Sequence, residues 1–236
     1  MKRMRIMGLL LVAVFALSVA ASTASAGPVF YTKVNVGGTA PNKVPFTATL
    51  GSAFLEPTSK SKITCTGGTA TGETGSATTT VNNLTKFTGC EAAGTGLKCN
   101  SLGKGTGEID TKVLAGKLGA ISATTPGIRL FDEAEGPGGK LAEFTCGGGA
   151  VSVVVRGSVI GSLSGAAGTE AANGKFASSN KLTFAETEGI QKYQKFEGEG
   201  AEQLESSTNG GAFEKSGQSV IVTIKSTPAG NLGFTK

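Results

Sequence analysis

The sequence predicts an all-β protein, an antiparallel β-sandwich held by two disulfides. Three observations carry this. Short runs alternate apolar and polar residues with period two, the mark of half-buried strands. Glycine-rich turns separate the runs, with 37 Gly in 236 residues, and glycine disfavours helices. The cysteines number four: Cys65, Cys90, Cys99 and Cys146. An even count in an exported chain reads as a disulfide framework. A β-barrel, or two small β sub-domains, is the alternative arrangement of the same strands.

The first element in chain order is a targeting segment. Lys2, Arg3 and Arg5 form a positive n-region, residues 6–20 are uncharged and apolar, and Ala24-Ser25-Ala26 ends in small residues. This is the layout of a secretory signal peptide over 1–26, cleaved to leave Gly27 first. The apolar run falls short of the roughly 20 residues a membrane-spanning helix needs. Removing 1–26 takes three basic residues away, so the formal charge falls from +5 to +2. The basic balance belongs largely to the signal, and nucleic-acid binding loses its support. All three Met residues leave as well, and the chain has no His and no Trp.

Residues 27–61 are rich in Pro and polar side chains and read as a loosely structured lead-in to a β domain at 62–236. In that domain Ile63 and Cys65 share a strand face. Residues 107–114 alternate Ile109, Thr111 and Val113 against Glu108, Asp110 and Lys112. Ala142, Phe144 and Cys146 share a face in 140–146. The most apolar run, 151–160, reads as a central strand, with Gly157 marking a bulge or a close backbone approach. Val220, Val222 and Ile224 alternate with Ile221, Thr223 and Lys225. Turn signals include Gly136-Pro137-Gly138-Gly139, Gly147-Gly148-Gly149, Asn173-Gly174 and Asn209-Gly210-Gly211. A break near 165–175 offers a sub-division. Of the three cysteine pairings, Cys90–Cys99 is favoured because Gly89, Gly94 and Gly96 surround a short loop between them. That leaves Cys65–Cys146. A Cys-only metal site has neither a CxxC pair nor a His to support it.

The segments FTGC at 87–90, GEIDT at 107–111, VVVRGSVIG at 153–161 and LESSTNGGAFEKSG at 204–217 resemble a pattern in uncharacterised secreted proteins. High-GC actinobacteria often carry these in several copies. The resemblance implies bacterial origin and secretion. It implies no activity and carries no site residues over.

The chemistry is bounded mainly by what is missing. Without His there is no Ser-His-Asp or Cys-His nucleophile and no His-ligated metal. Ser59–Lys62, Ser178-Ser179-Asn180 and Lys215-Ser216-Gly217 follow the order of penicillin-recognising motifs. The first sits in a strand-like run, where positions three apart face opposite ways. Glu108 with Asp110, and Glu186 with Glu188, are paired carboxylates of the kind glycosidases use, about 7 Å apart on a strand. Solvated outer faces explain them equally well. Asp132, Glu133 and Glu135 offer hard oxygen ligands for calcium, or form a charged turn. Gly103–Gly107 fits no phosphate-loop spacing and reads as a turn, and the Asn83-Leu84-Thr85 sequon is incidental in a bacterial chain. The expectation is therefore a secreted, non-catalytic structural or binding protein of the bacterial cell envelope or exterior. It has no cofactor, metal or catalytic residue, no transmembrane segment after cleavage and no nucleic-acid partner. A cell-wall polymer or a protein is the expected partner. The alternative is an envelope-polymer hydrolase using paired carboxylates or Ser and Lys.

Overall fold

A computed structural model describes residues 28–32, 43–165, 179–227 and 232–234. The signal segment, Asn173-Gly174, Ser178 and nearly all of the proposed break at 165–175 lie outside these residues.

Among the described residues the fold is built of strands and one short 3₁₀ turn, Gly147–Gly149. The strands are β1 (Phe30–Thr32), β2 (Pro45–Leu50), β3 (Ala53–Pro57), β4 (Ile63–Cys65), β5 (Gly67–Thr74), β6 (Thr79–Thr88), β7 (Glu91–Ala92), β8 (Leu97–Asn100), β9 (Ile109–Asp110) and β10 (Leu114–Ser122). They continue with β11 (Thr125–Asp132), β12 (Lys140–Cys146), β13 (Val151–Ser164), β14 (Asn180–Phe184), β15 (Glu186–Thr187), β16 (Ile190–Gln191), β17 (Leu204–Thr208), β18 (Glu214–Ser226) and β19 (Leu232–Phe234). Fifteen of them join one antiparallel sheet, and β1–β19 and β15–β16 are separate two-stranded ribbons.

The large sheet is doubled over as a sandwich rather than forming one closed barrel, and two long strands shared by its halves each serve two ladders on both sides. The first half of β13 pairs with β12 and β17, and its second half with β11 and β14. β18 likewise begins against β17 and β3 and ends against β14 and β2. Two halves result. The stapled half holds β3, β4, β7, β8, β12 and β17. The wide half holds β2, β5, β6, β10, β11 and β14. In the wide half β6 and β10 meet through only three residue pairs, with a register shift between Leu114 and Gly116.

The seam between the halves is visible in β13. Gly157 has φ +98°, and a Cβ there would collide with the Gln203 carbonyl. Only glycine tolerates both. The expected close backbone approach is therefore present.

Faces follow the alternation for most runs. Ile63 and Cys65 are buried, as are Ala142, Phe144 and Cys146, and Val220, Val222 and Ile224, while Ile221 is exposed. The run 107–114 departs from expectation. Ile109 and Leu114 are buried and Val113 is exposed, because β9 stops after Asp110. Thr111 then bridges to Ala142, and Lys112 N–H donates to the Leu141 carbonyl at 2.8 Å. The change of partner resets the alternation before β10 begins. Within 27–61 the described residues include two strands of the large sheet. β2 sits between β18 and β5 with Phe46, Ala48 and Leu50 inward, and β3 pairs β18 with β4.

The disulfides correct the favoured pairing. They are Cys65–Cys90 and Cys99–Cys146, with Cα separations of 4.0 and 3.9 Å. Cys90 and Cys99 do face one another across the β7–β8 hairpin, as the loop argument anticipated. Their closure is a backbone hydrogen bond, Cys99 N–H to the Cys90 carbonyl at 3.0 Å. Such hydrogen-bonded pairs hold their Cα atoms about 1 Å further apart than the alternate pairs. Each sulfur bonds sideways to the flanking strand. Cys146 is registered opposite Cys99, and the β4–β7 register brings Cys65 opposite Cys90. All four cysteines thus form one row across β4, β7, β8 and β12.

Candidate functional site

Two features could engage other molecules: the outer face of the wide half and the space inside the sandwich. The outer face spans β14, β18, β2, β5 and β6. Its outward positions alternate with the core residues of the same strands, so the sequence alternation fixes its chemistry. One cross-strand row reads Lys181, Thr223, Thr49, Thr69 and Lys86. The next reads Lys225, Thr47, Thr71 and Leu84. Strands lie about 4.8 Å apart and alternate residues about 6.8 Å apart, so the threonines form a regular grid. Each presents a hydroxyl, both donor and acceptor, beside a methyl. Thr47, Thr49, Thr69, Thr71, Thr223 and Lys225 border a shallow depression there.

The opposite outer face, on β10, β11 and β13, is covered. The segment 192–203 straps across it. Phe196 is fully buried against Gly119, where any Cβ would strike the ring. Arg129 anchors the strap, donating to Glu199 at 2.9 Å and Glu202 at 2.6 Å, with its guanidinium carbon 5.2 Å from the Phe196 ring centre. Glu202 also accepts from the Ser158 hydroxyl, and Lys117 pairs with Glu197 at 2.5 Å. A buried Arg with two carboxylates and an aromatic lid explains itself as an anchor. Sequence reasoning missed it, because nothing local in 125–132 distinguishes a buried Arg from an exposed one.

Inside the sandwich lies an apolar cavity of about 160 Å³. Inward residues of both halves line it, among them Ala48 and Ala70 on β2 and β5, and Ala53 on β3. The β1–β19 ribbon adds Phe30, Leu232 and Phe234. The alanines at these inward positions leave volume that only neighbours distant in sequence could fill.

The residues singled out from the sequence are dispersed. Pro57 pairs with Ser216, so Ser59 does lie near Lys215-Ser216-Gly217. Its hydroxyl donates to Glu214 at 2.7 Å, whereas Lys62 pairs with Glu56 at 2.6 Å. Ser216 is buried against the Ser206 hydroxyl at 2.6 Å, and Asn180 points into the core. No Ser–Lys dyad forms from these residues. Hydrogen bonds from Ser59, and then from Thr58 and the Ser59 backbone, hold the Glu214 carboxyl below the usual range. Lys62, and then Lys60, do the same for Glu56.

Glu108 pairs with Lys86 at 3.3 Å, and Asp110 with Lys104 at 2.7 Å. Asp110 raises the Lys104 pKa, through its hydrogen bond first and its charge second. Glu186 accepts from Gly189 N–H at 2.7 Å, while Glu188 sits in a turn with φ +55°, so the two share no strand face. Asp132 accepts backbone N–H groups from Ala134 and Glu135 of its own turn, and Glu133 accepts from Asn82 N–H at 2.8 Å. Among the described residues no three His, Cys, Asp or Glu side chains converge as metal ligands. Gly103–Gly107 forms a turn, with Lys104 N–H donating to the Ser101 carbonyl. Asn83, the sequon residue, is buried with its amide on Thr80 and the Leu114 carbonyl. No helix among the described residues is long and apolar enough to cross a membrane.

Comparison with known proteins finds no match to this chain, whether among protein-family descriptions, curated proteins or solved structures.

Proposed function

We propose that the chain is an exported, non-catalytic structural or binding protein of the bacterial cell envelope or exterior. It engages a hydroxyl-rich polymer or protein through the threonine grid of the wide half. The carrying observation is the grid itself. Six threonines, Thr47, Thr49, Thr69, Thr71, Thr183 and Thr223, point outward on four neighbouring strands, flanked by Lys86, Lys181 and Lys225. Such a surface makes many weak contacts to an extended partner and requires no pocket. Two disulfides fit an oxidising compartment, and the N-terminal segment supplies the export signal. Dispersal of the carboxylates onto separate partners supports the non-catalytic part.

The test is to incubate residues 27–236 with peptidoglycan, other envelope polysaccharides and β-lactam reporters. Retention without turnover, weakened by Thr49→Glu with Thr69→Glu, is the expected result. Turnover abolished by Ser59→Ala, or by Glu108→Gln with Asp110→Asn, would establish the hydrolase instead.

A further inference from the structure

We infer that the interior cavity is a binding site for a small apolar molecule of about the size of a single aromatic ring, carrying one hydroxyl donor, with Asn180 as its polar anchor. This inference is independent of what the outer face binds.

Size comes first. The cavity holds about 160 Å³. Apolar cavities near this volume stay dry and take up benzene-sized molecules, since water inside them would lack hydrogen-bond partners. Close-packed interiors rarely leave such space empty. The unfilled volume is built from inward alanines. Ala48 is 5 % exposed on a strand flanked by Phe46 and Leu50, where a larger side chain would ordinarily stand.

Polarity comes second. Asn180 is the first residue of β14, faces inward, lines the cavity and is only 6 % exposed. Its amide N–H donates to the Leu232 carbonyl at 3.4 Å. Its Oδ1 is buried and has no partner among the described residues. A buried acceptor left without a donor is destabilising, because it has given up its hydrogen bond to water. Leu or Val would suit an inward position better if packing were the only demand. The wall is mostly apolar, with Thr80, Asn83, Thr85, Thr111 and Gln218 among its other polar side chains, so an acceptor left unpaired there selects a ligand that is apolar except for one donor. The side-chain amide of Asn83, elsewhere on the lining, is already committed to Thr80 and the Leu114 carbonyl, and Asn180 supplies the vacant hydrogen bond.

The probes are phenol, benzene and glucose, added to purified residues 27–236 and followed by calorimetry and by the shift in melting temperature. A ligand bound only by the folded state raises that temperature by mass action. Phenol should bind about tenfold more tightly than benzene, the worth of one buried hydrogen bond, and glucose not at all. Asn180→Leu should remove the preference for phenol while leaving benzene binding intact. Ala48→Leu and Ala70→Leu, made separately and checked by disulfide mapping, should fill the space and abolish uptake of both rings. The inference is overturned if neither ring binds the native protein. It is equally overturned if phenol and benzene bind alike, if Asn180→Leu keeps the preference, or if a folded cavity-filled variant still binds. None of these results bears on retention by envelope polymers, so the two readings fail separately.

Discussion

The stapled and wide halves share β13 and β18 yet are held together differently. In the stapled half the buried side chains are often small, such as Ala53, Ala142, Ser206 and Ser216, and both disulfides lie there. The wide half has no cysteine. It buries Phe46, Leu118, Ile128, Leu163, Leu182 and Phe184, takes Phe30 and Phe234 from the β1–β19 ribbon, and is strapped from outside by Phe196 and Arg129. The contrast teaches that one continuous sheet can use covalent constraint where side chains are too small to bury much area. It uses apolar burial where they are larger.

The largest effect that would break this comparison is reduction. The bridges close loops of 25 and 47 residues, worth about 3.5 and 4 kcal/mol by loop-closure entropy. Losing both should lower the melting temperature by about 15–25 °C. Hydrogen exchange on the reduced protein should accelerate in β4, β7, β8 and β12 before β2 and β5. Uniform acceleration would mean that the halves are one cooperative unit.

Next is the seam. Gly157→Ala combines a left-handed φ with a collision against Gln203 and should cost about 3–4 kcal/mol in denaturant unfolding. A cost below about 1 kcal/mol would show that β13 bends freely there.

A paired substitution then sharpens the role of the strap. Arg129→Met removes a buried partner of Glu202 and should cost about 3 kcal/mol. Arg156 pairs with Glu205 at 2.8 Å on a half-exposed surface and stands 3.6 Å over the Phe213 ring. Arg156→Met should therefore cost only about 0.5–1 kcal/mol. Equal costs would mean that the strap contributes no more than an ordinary surface pair.

The smallest effect is with pH. Glu56 and Glu214 titrate below their ordinary value in the folded chain. Their stabilisation is complete above the unfolded value near 4.5 and is lost as pH falls through the lowered one. Lys104 titrates above 10.5, so its contribution is complete below that and fades as pH rises through the raised value. With no His in the chain, melting temperature should be flat from about pH 5.5 to 9. Slight losses at both extremes should be confined to the turns 56–62 and 101–110. A marked slope near pH 7 would contradict this.

The sequence was legible where period two persists. Residues 142–146 and 220–225 show their faces directly, and Asn209-Gly210-Gly211 lies in the connection from β17 to β18, as a turn signal should. It was illegible where a strand changes partners. Val113 breaks the pattern of Ile109 because the chain passes from β6 to β12 between them, and no local residue announces the exchange. The cysteine pairing failed for a related reason. Loop length speaks to which sulfurs can approach, while register decides which Cβ atoms face one another. Of the candidate site, the outward threonines were visible as alternation. The cavity was not, since emptiness depends on how residues distant in sequence fit together.

The row of four cysteines also bears on how the protein would be made. A chain that crosses a membrane amino end first presents Cys65, then Cys90, then Cys99 and then Cys146 to the oxidant outside. The native bridges join the first to the second and the third to the fourth. An oxidant that couples thiols in order of arrival therefore produces the correct protein without reshuffling. The nested alternative, Cys90–Cys99 within Cys65–Cys146, would leave its first cysteine waiting until the last had emerged. Biogenesis can then proceed with an oxidase alone, and an isomerase is needed only when Cys90 and Cys99, nine residues apart, react with each other first.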